Sequence, residues 1–264
     1  MKVIVLGSIS PYPKDYLNCP GYLVINGEEK ILLDAGNGVS RLLKMPEDLN
    51  CLTIVISHFH KDHYADLFAL AYASFVYHNL GLLEERIKVY LPNDDCLDLK
   101  LLLDMKEHYF DIQTYHADSN FVIGDTKISF MKTVHPILTF ASKIENKNQK
   151  IVYSADTGIG VKRALTNFAK DVDLFICEAS FIREHHKESI SHLCAYESAE
   201  IAALAHVKQL LLTHFWPEEE KRLYLEEAIP IFRNTIVAQE KEIIDLDIPY
   251  QYQKNRDNKK KILF

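Results

Sequence analysis

The chain has 264 residues, 30 Lys and Arg against 37 Asp and Glu (net charge −7), 48% apolar and 25% charged residues, 9 Gly and 9 Pro. That balance is globular and excludes collagen, coiled coil and disorder as its main character, the acidic surplus disfavours a broad nucleic-acid face, and no apolar run approaches the roughly 20 residues of a membrane span. Five cysteines, odd in number and without a CxxC pair, fit reduced thiols and a cytoplasmic protein better than a disulfide framework.

Residues 2–7 are too brief for a signal-peptide core and read as the first strand. Residues 21–25 and 30–34 form a hairpin about Asn26-Gly27. Residues 52–57 are continuously apolar, as in a buried strand, and run through a histidine-rich turn into a helix over 62–77. A strand over 87–91, a helix over 94–109 and strands over 127–134 and 138–144 follow, before a turn at Asn146-Lys147-Asn148. The second half repeats the pattern in kind: strands over 150–154, 174–177 and 209–213 alternate with helices over 161–168, 195–206 and 217–232. No linker or composition break separates the halves, so one domain over 1–264 made of two similar halves is expected. The basic tail from about 251 reads as a solvated end, and a homodimer is the base-rate assembly.

Chemistry concentrates in Ser57-His58-Phe59-His60-Lys61-Asp62-His63, three histidines and a carboxylate between a buried strand and a helix. Burying even one such group without a partner costs about 1–3 kcal/mol. A metal ion is the common partner that imidazoles and a carboxylate share. An extended His-x-His aims two rings one way, while Asp62 and His63 begin the helix and face another, which suggests two metals. Further donors should stand at other strand ends. His135 follows the strand over 127–134 and is locked by Pro136, Asp156 leaves the strand over 150–154 for Thr157-Gly158, and His214 ends the strand over 209–213.

In these residues the chain resembles the metallo-β-lactamase superfamily. Its His-x-His-x-Asp-His motif is His58 to His63, its later motifs match at His135, Asp156 and His214, and Leu32-Leu33-Asp34-Ala35-Gly36 is similar to its early Asp-x-Gly strand end, so the likeness spans 1 to about 238. The resemblance implies an α/β fold, the four-layer αββα sandwich, with metals at one edge of the two sheets. It implies His58, His60 and His135 at a first metal, Asp62, His63 and His214 at a second, Asp156 bridging them and Asp34 orienting a ligand loop. The two divalent ions would be zinc before manganese or iron.

Asp156 stands where lactamases of the commonest subclass carry Cys, and where phosphodiesterases and thioesterases of the superfamily carry a carboxylate. His60-Lys61-Asp62 lacks the added carboxylate of the flavodiiron branch, which demotes redox chemistry. Residues 152–158, Cys177-Glu178-Ala179-Ser180 and Ser191-His192 look like tRNase Z and its relatives, and imply Glu178 and His192 in proton transfer, although the flanking residues differ. The interval from His135 to Asp156 has no room for the long arm that grips tRNA in that group. The expectation is a binuclear metal-dependent hydrolase, a phosphodiesterase on small or cyclic phosphodiesters, with a thioesterase or lactonase as the alternative. A tRNA 3′-processing endonuclease and a non-catalytic metal-binding module rank below. Asp62 would orient the attacking hydroxide or take its proton, and His192, oriented by Glu178, would protonate the leaving alkoxide.

The remaining polar residues get plainer readings. His185 and His186 face solvent, and His78, His108, His116 and His206 are structural. Cys177 and Cys194 are buried thiols without an activating base. Trp216 either lines the pocket or packs, and specificity resides in the loops over 8–20 and 179–191.

Overall fold

The computed structural model describes residues 1–106, 108–185 and 191–248; the basic tail and His186 lie outside them. Strand β1 (Lys2–Gly7) pairs antiparallel with β2 (Gly21–Asn26), and β2 with β3 (Glu29–Leu33). Asn26 faces Glu29 across the hairpin, so the loop is Gly27-Glu28, and Gly27 adopts φ +62°, which glycine reaches at little cost. From β3 the sheet continues in parallel through β4 (Leu52–Val55), β5 (Lys88–Pro92) and β6 (Asp111–Tyr115).

The second sheet has the same plan. Antiparallel strands β7 (Asn120–Ile123), β8 (Thr126–Lys132), β9 (Phe140–Glu145) and β10 (Lys150–Tyr153) lead into parallel β11 (Leu174–Glu178), β12 (Leu210–Thr213) and β13 (Thr235–Val237). Strand β14 (Ile243–Asp245) returns to the outer side of β1, giving two seven-stranded sheets. The interval from His135 to Asp156 is filled by β9, a turn and β10.

Side-chain alternation builds the layers. Along β2, β3 and β4, Tyr22, Val24, Ile31, Leu33 and Val55 join the cluster shared with the second sheet, while Leu23, Leu32 and Ile54 join a cluster on the opposite face. That opposite face is covered by α1 (Lys61–Tyr64), α2 (Leu67–Asn79) and α3 (Leu97–Leu103), through Tyr64, Leu67, Leu70, Leu99 and Leu102. Helices α4 (Lys162–Phe168), α5 (Ala195–Leu204) and α6 (Lys221–Ala228) cover the second sheet through Leu165, Ile201 and Tyr224. The result is the αββα sandwich. At the edge holding the turns, Asn26 Nδ2 donates to Thr126 Oγ1 (2.8 Å) and Asn146 Nδ2 to Asn26 Oδ1 (3.2 Å), so amides clasp the two sheets there. Among the described residues no helix is long and apolar enough to cross a membrane.

Three helices differ from the sequence expectation. The helix expected over 62–77 is broken at Ala65-Asp66, because Asp66 N donates to Ala35 O (2.9 Å) and its Oδ2 accepts from Ser40 N (2.7 Å). The helix expected over 94–109 keeps only Leu97–Leu103: Asp94 and Cys96 close tight turns, and Cys96 caps the start through Leu99 N. The last begins at Lys221 rather than 217, since Trp216 O accepts from Glu219 N in a separate turn. Strands β6, β7, β13 and β14 escaped the sequence reading.

Candidate metal centre

Three residues at strand ends take left-handed backbone angles, Asp34 (φ +59°), Ala155 (φ +50°) and His214 (φ +61°). Such angles are uncommon outside glycine and turn the chain sharply where β3, β10 and β12 end. After β4 the chain stays extended to His60 (φ −72°, ψ 140°) and then enters α1, which separates the aim of His58 and His60 from that of Asp62 and His63. The loops after β8 and β10 are tied together, Thr133 Oγ1 donating to Asp156 O (2.8 Å) and Gly158 N to Val134 O (2.8 Å).

These turns bring all seven sequence-derived donors to one edge of the sandwich. A first set, His58, His60 and His135, meets Asp156, and a second is Asp62, His63 and His214. In the first, His60 Nδ1 lies 3.1 Å from both His58 Nε2 and His135 Nε2. In the second, His63 Nε2 and His214 Nε2 are 3.1 Å apart, with Asp62 Oδ2 at 3.6 and 3.8 Å from them. Asp156 lies between the sets. Its Oδ2 is 3.6 Å from His58 Nε2 and 3.7 Å from His135 Nε2, and its Oδ1 is 3.3 Å from His63 Nε2 and 3.0 Å from His214 Nε2.

The surrounding hydrogen bonds assign the tautomers. Asp34 Oδ2 accepts from His63 Nδ1 (2.7 Å), Ser57 Oγ (2.8 Å) and Tyr153 OH (2.8 Å), while Oδ1 accepts from Ser57 N (2.7 Å). Ser57 has thereby spent its one hydroxyl proton, so it accepts from His58 Nδ1 at 2.9 Å. By the same reasoning Ser180 Oγ donates to Glu178 Oε2 (2.8 Å) and accepts from His214 Nδ1 (2.8 Å). His135 Nδ1 donates to Ser191 O at 3.1 Å. With both rings neutral, His63 Nε2 and His214 Nε2 therefore turn lone pairs toward each other at 3.1 Å. Asp156 Oδ1, buried, accepts no hydrogen bond although His214 Nε2 is 3.0 Å away. This donor set fits divalent metal ions.

Charge differs between the sets. Burial, reinforced by neighbouring histidines, holds His58, His60 and His135 below the usual imidazole value, in the neutral form that ligates. Burial also lowers His63, but the Asp156, Asp62 and Asp34 carboxylates outweigh it and raise it well above the usual value. The second set thus concentrates negative charge that a proton or a metal ion neutralises.

Beside both sets stands His192, stacked on His214 with ring centroids 5.4 Å apart. Its Nδ1 donates to Glu178 Oε1 (3.0 Å), and although burial opposes the charge, Glu178 raises His192 to about 9. It is an imidazolium at neutral pH. Glu178 is fixed in turn by Thr157 N (2.6 Å) and Leu193 N (3.2 Å).

Four hydroxyls that hold this centre were not singled out in the sequence: Ser10, whose Oγ donates to Asp62 Oδ2 (2.6 Å), and Ser57, Tyr153 and Ser180. Only Ser57 and Ser180 carried a usable signal, being next to His58 and two residues beyond Glu178. Away from the centre, His185 pairs with Glu219 (2.6 Å), His78 Nδ1 meets Leu83 O (3.2 Å) and His116 Nε2 meets Asn93 (2.9 Å). Burial pushes the Cys177 thiol up to about 12 and raises Cys194, which leaves both protonated. Trp216 lines a cavity.

Comparison with known proteins accords with this geometry. A family profile described as beta-lactamase superfamily domain matches residues 29–215. The chain is 33% identical over 215 residues, 81% of itself and 86% of the relative, to the probable metallo-hydrolase YhfI of Bacillus subtilis. The crystal structure of that metallo-β-lactamase fold protein matches with a TM-score of 0.84 at 28% identity, over 92% of this chain and 98% of the other. A ribonuclease Z of Clostridium kluyveri is 26% identical over 298 residues, 92% of this chain and 97% of the relative. A diphosphatase from the PhnP family shares the fold, with a TM-score of 0.69 at 17% identity over 92% and 97% of the two chains.

Proposed function

Because the chain belongs to the β-lactamase superfamily and is a metallo-hydrolase of it, we propose that it is a binuclear phosphodiesterase acting on small or cyclic phosphodiesters. One observation carries this reading: the two oxygens of Asp156 face different donor sets, Oδ2 toward His58 and His135, Oδ1 toward His63 and His214. His58, His60 and His135 would hold one ion, Asp62, His63 and His214 the other, and Asp156 would serve both. Five imidazoles favour zinc, and the carboxylates also suit manganese or iron. Two such ions supply a water of lowered pKa and neutralise charge on the phosphoryl oxygens.

The protein groups move the protons. Asp62, its Oδ2 anchored by Ser10 Oγ, orients the attacking water and takes its proton. As the water oxygen bonds to phosphorus and the ester P–O bond breaks, His192 gives its Nε2 proton to the leaving oxygen, and Glu178 steadies the ring through Nδ1. This donor supports a phosphodiester over a thioester, since an alkoxide leaves poorly without a proton whereas a thiolate leaves unaided. The filled interval between His135 and Asp156 supports a small substrate over a tRNA.

The test is hydrolysis of bis-p-nitrophenyl phosphate and of cyclic nucleotides by protein carrying two metal equivalents, abolished by a chelator and restored by Zn²⁺ or Mn²⁺. Turnover of acyl thioesters or lactones with phosphodiesters untouched would overturn the proposal.

A further inference from the structure

Between the loop after β11 and the loop after β12 lies a cavity of about 400 Å³, within the range that holds small organic ligands. Phe181, Trp216 and Tyr224 give it aromatic walls, and Ser180 forms the side nearest the metal centre. The walls are fixed before any ligand arrives: Tyr224 OH accepts from Trp216 N and donates to Ser180 O, each at 3.2 Å, and so pins one loop to the other. Two of its lining residues reach the proton donor. Ser180 Oγ lies 3.1 Å from His192 Nδ1, and the Phe181 ring centroid is 6.2 Å from that of His192.

Its polar groups narrow the occupant. Among the described residues Glu184, His185 and Glu219 line the cavity and no Lys or Arg does, which disfavours a second phosphate or a carboxylate there. A plain hydrocarbon would desolvate Glu219, whose side chain is only 13% exposed, and return no hydrogen bond. Glu219 Oε2 is held by His185 Nδ1 at 2.6 Å, which leaves Oε1 to accept from a ligand. A flat ring with N–H donors at its edge satisfies both the aromatic walls and the carboxylate.

We propose that this cavity binds the organic leaving group of the substrate as a nitrogen heteroaromatic ring of the purine type, stacked against Trp216 and Phe181 and donating to Glu219. The assignment rests on the phosphodiesterase reading for the identity of the reaction, and it makes the natural substrate a nucleoside phosphodiester.

Trp216 is the one tryptophan in the chain, so its fluorescence reports the cavity directly. Metal-loaded protein titrated with adenosine, which has no phosphate, should show saturable quenching that ribose does not cause and that Glu219→Gln weakens about tenfold. With adenosine 3′,5′-cyclic phosphate as substrate, Trp216→Leu should raise KM at least about tenfold. Its kcat/KM for ethylene phosphate, a diester without an aromatic ring, should fall by much less than that for the cyclic nucleotide. No quenching at millimolar adenosine, or equal losses on both substrates in Trp216→Leu, overturns the assignment. Quenching in a metal-loaded protein that hydrolyses no phosphodiester overturns the catalytic reading and leaves the ring site standing.

Discussion

The two donor sets flank the same carboxylate but rest on different supports. In the first, His60 and His135 are only partly buried, His135 leans on a backbone carbonyl, and the one carboxylate among the described residues of that set is the shared Asp156. In the second every donor is buried, Asp62 adds a charge of its own, and Asp34 stands directly behind His63. A carboxylate behind an imidazole raises its basicity more than a neutral acceptor does. The comparison teaches that the second set should fill first and exchange last, with the first set as the more open subsite.

The largest effect should come from removing what the sets share. Asp156→Ala is expected to lower phosphodiester turnover by at least about 10³-fold and to leave less than one metal equivalent by elemental analysis. A variant that keeps both ions and most of the rate would remove the basis of the comparison.

His192 belongs to neither set, although it stacks on His214, so His192→Asn should keep the parent's metal content while kcat on alkyl leaving groups falls about 10²–10⁴-fold. The group acts as the protonated form and Glu178 raises it to about 9. The parent's rate should therefore decline as pH rises through about 9, and this limb should be missing from the variant's pH profile.

Asp34→Asn and Ser57→Ala sharpen the contrast of supports. Asn tolerates the left-handed backbone at position 34 (φ +59°), so the exchange removes charge rather than conformation. Metal affinity should drop about 10–100-fold, the Asn variant at the upper end and confined to one of two ions, the Ala variant at the lower end. Metal titrations in which Ser57→Ala is the more damaging would reverse the ranking. The smallest effect is the order of loss in wild-type protein under a mild chelator. One ion should leave at low chelator, and His60→Ala protein should lack that ion from the start.

The sequence made the seven donors legible because each stands where an apolar β-run ends, a position that leaves a local pattern in His58 to His63 and single marks at His135, Asp156 and His214. Hydroxyls leave no such mark. Ser10 and Tyr153 reach Asp62 and Asp34 across 52 and 119 positions, and only the folded chain brings them there. The central strands were legible for the same reason as the donors, being apolar throughout. Three of the four missed strands lack that signal: β6 is Asp-Ile-Gln-Thr-Tyr with exposed residues mid-strand, and β13 and β14 have three residues each. The overlong helices reflect local competition, since Asp66 bonds the loop after β3 and Cys96 N closes a tight turn on Asp94 O, contacts that helical spacing does not encode.

Each donor set draws from both sheets: His58, His60, Asp62 and His63 follow β4, whereas His135, Asp156 and His214 follow β8, β10 and β12. The amides of Asn26 and Asn146 fasten the far side of the sandwich, while on this side bound ions would add to the protein's own cross-links, such as that from Tyr153 OH to Asp34 Oδ2. Cation uptake and cohesion between the layers are then coupled, and resistance to heat should rise with the metal supply.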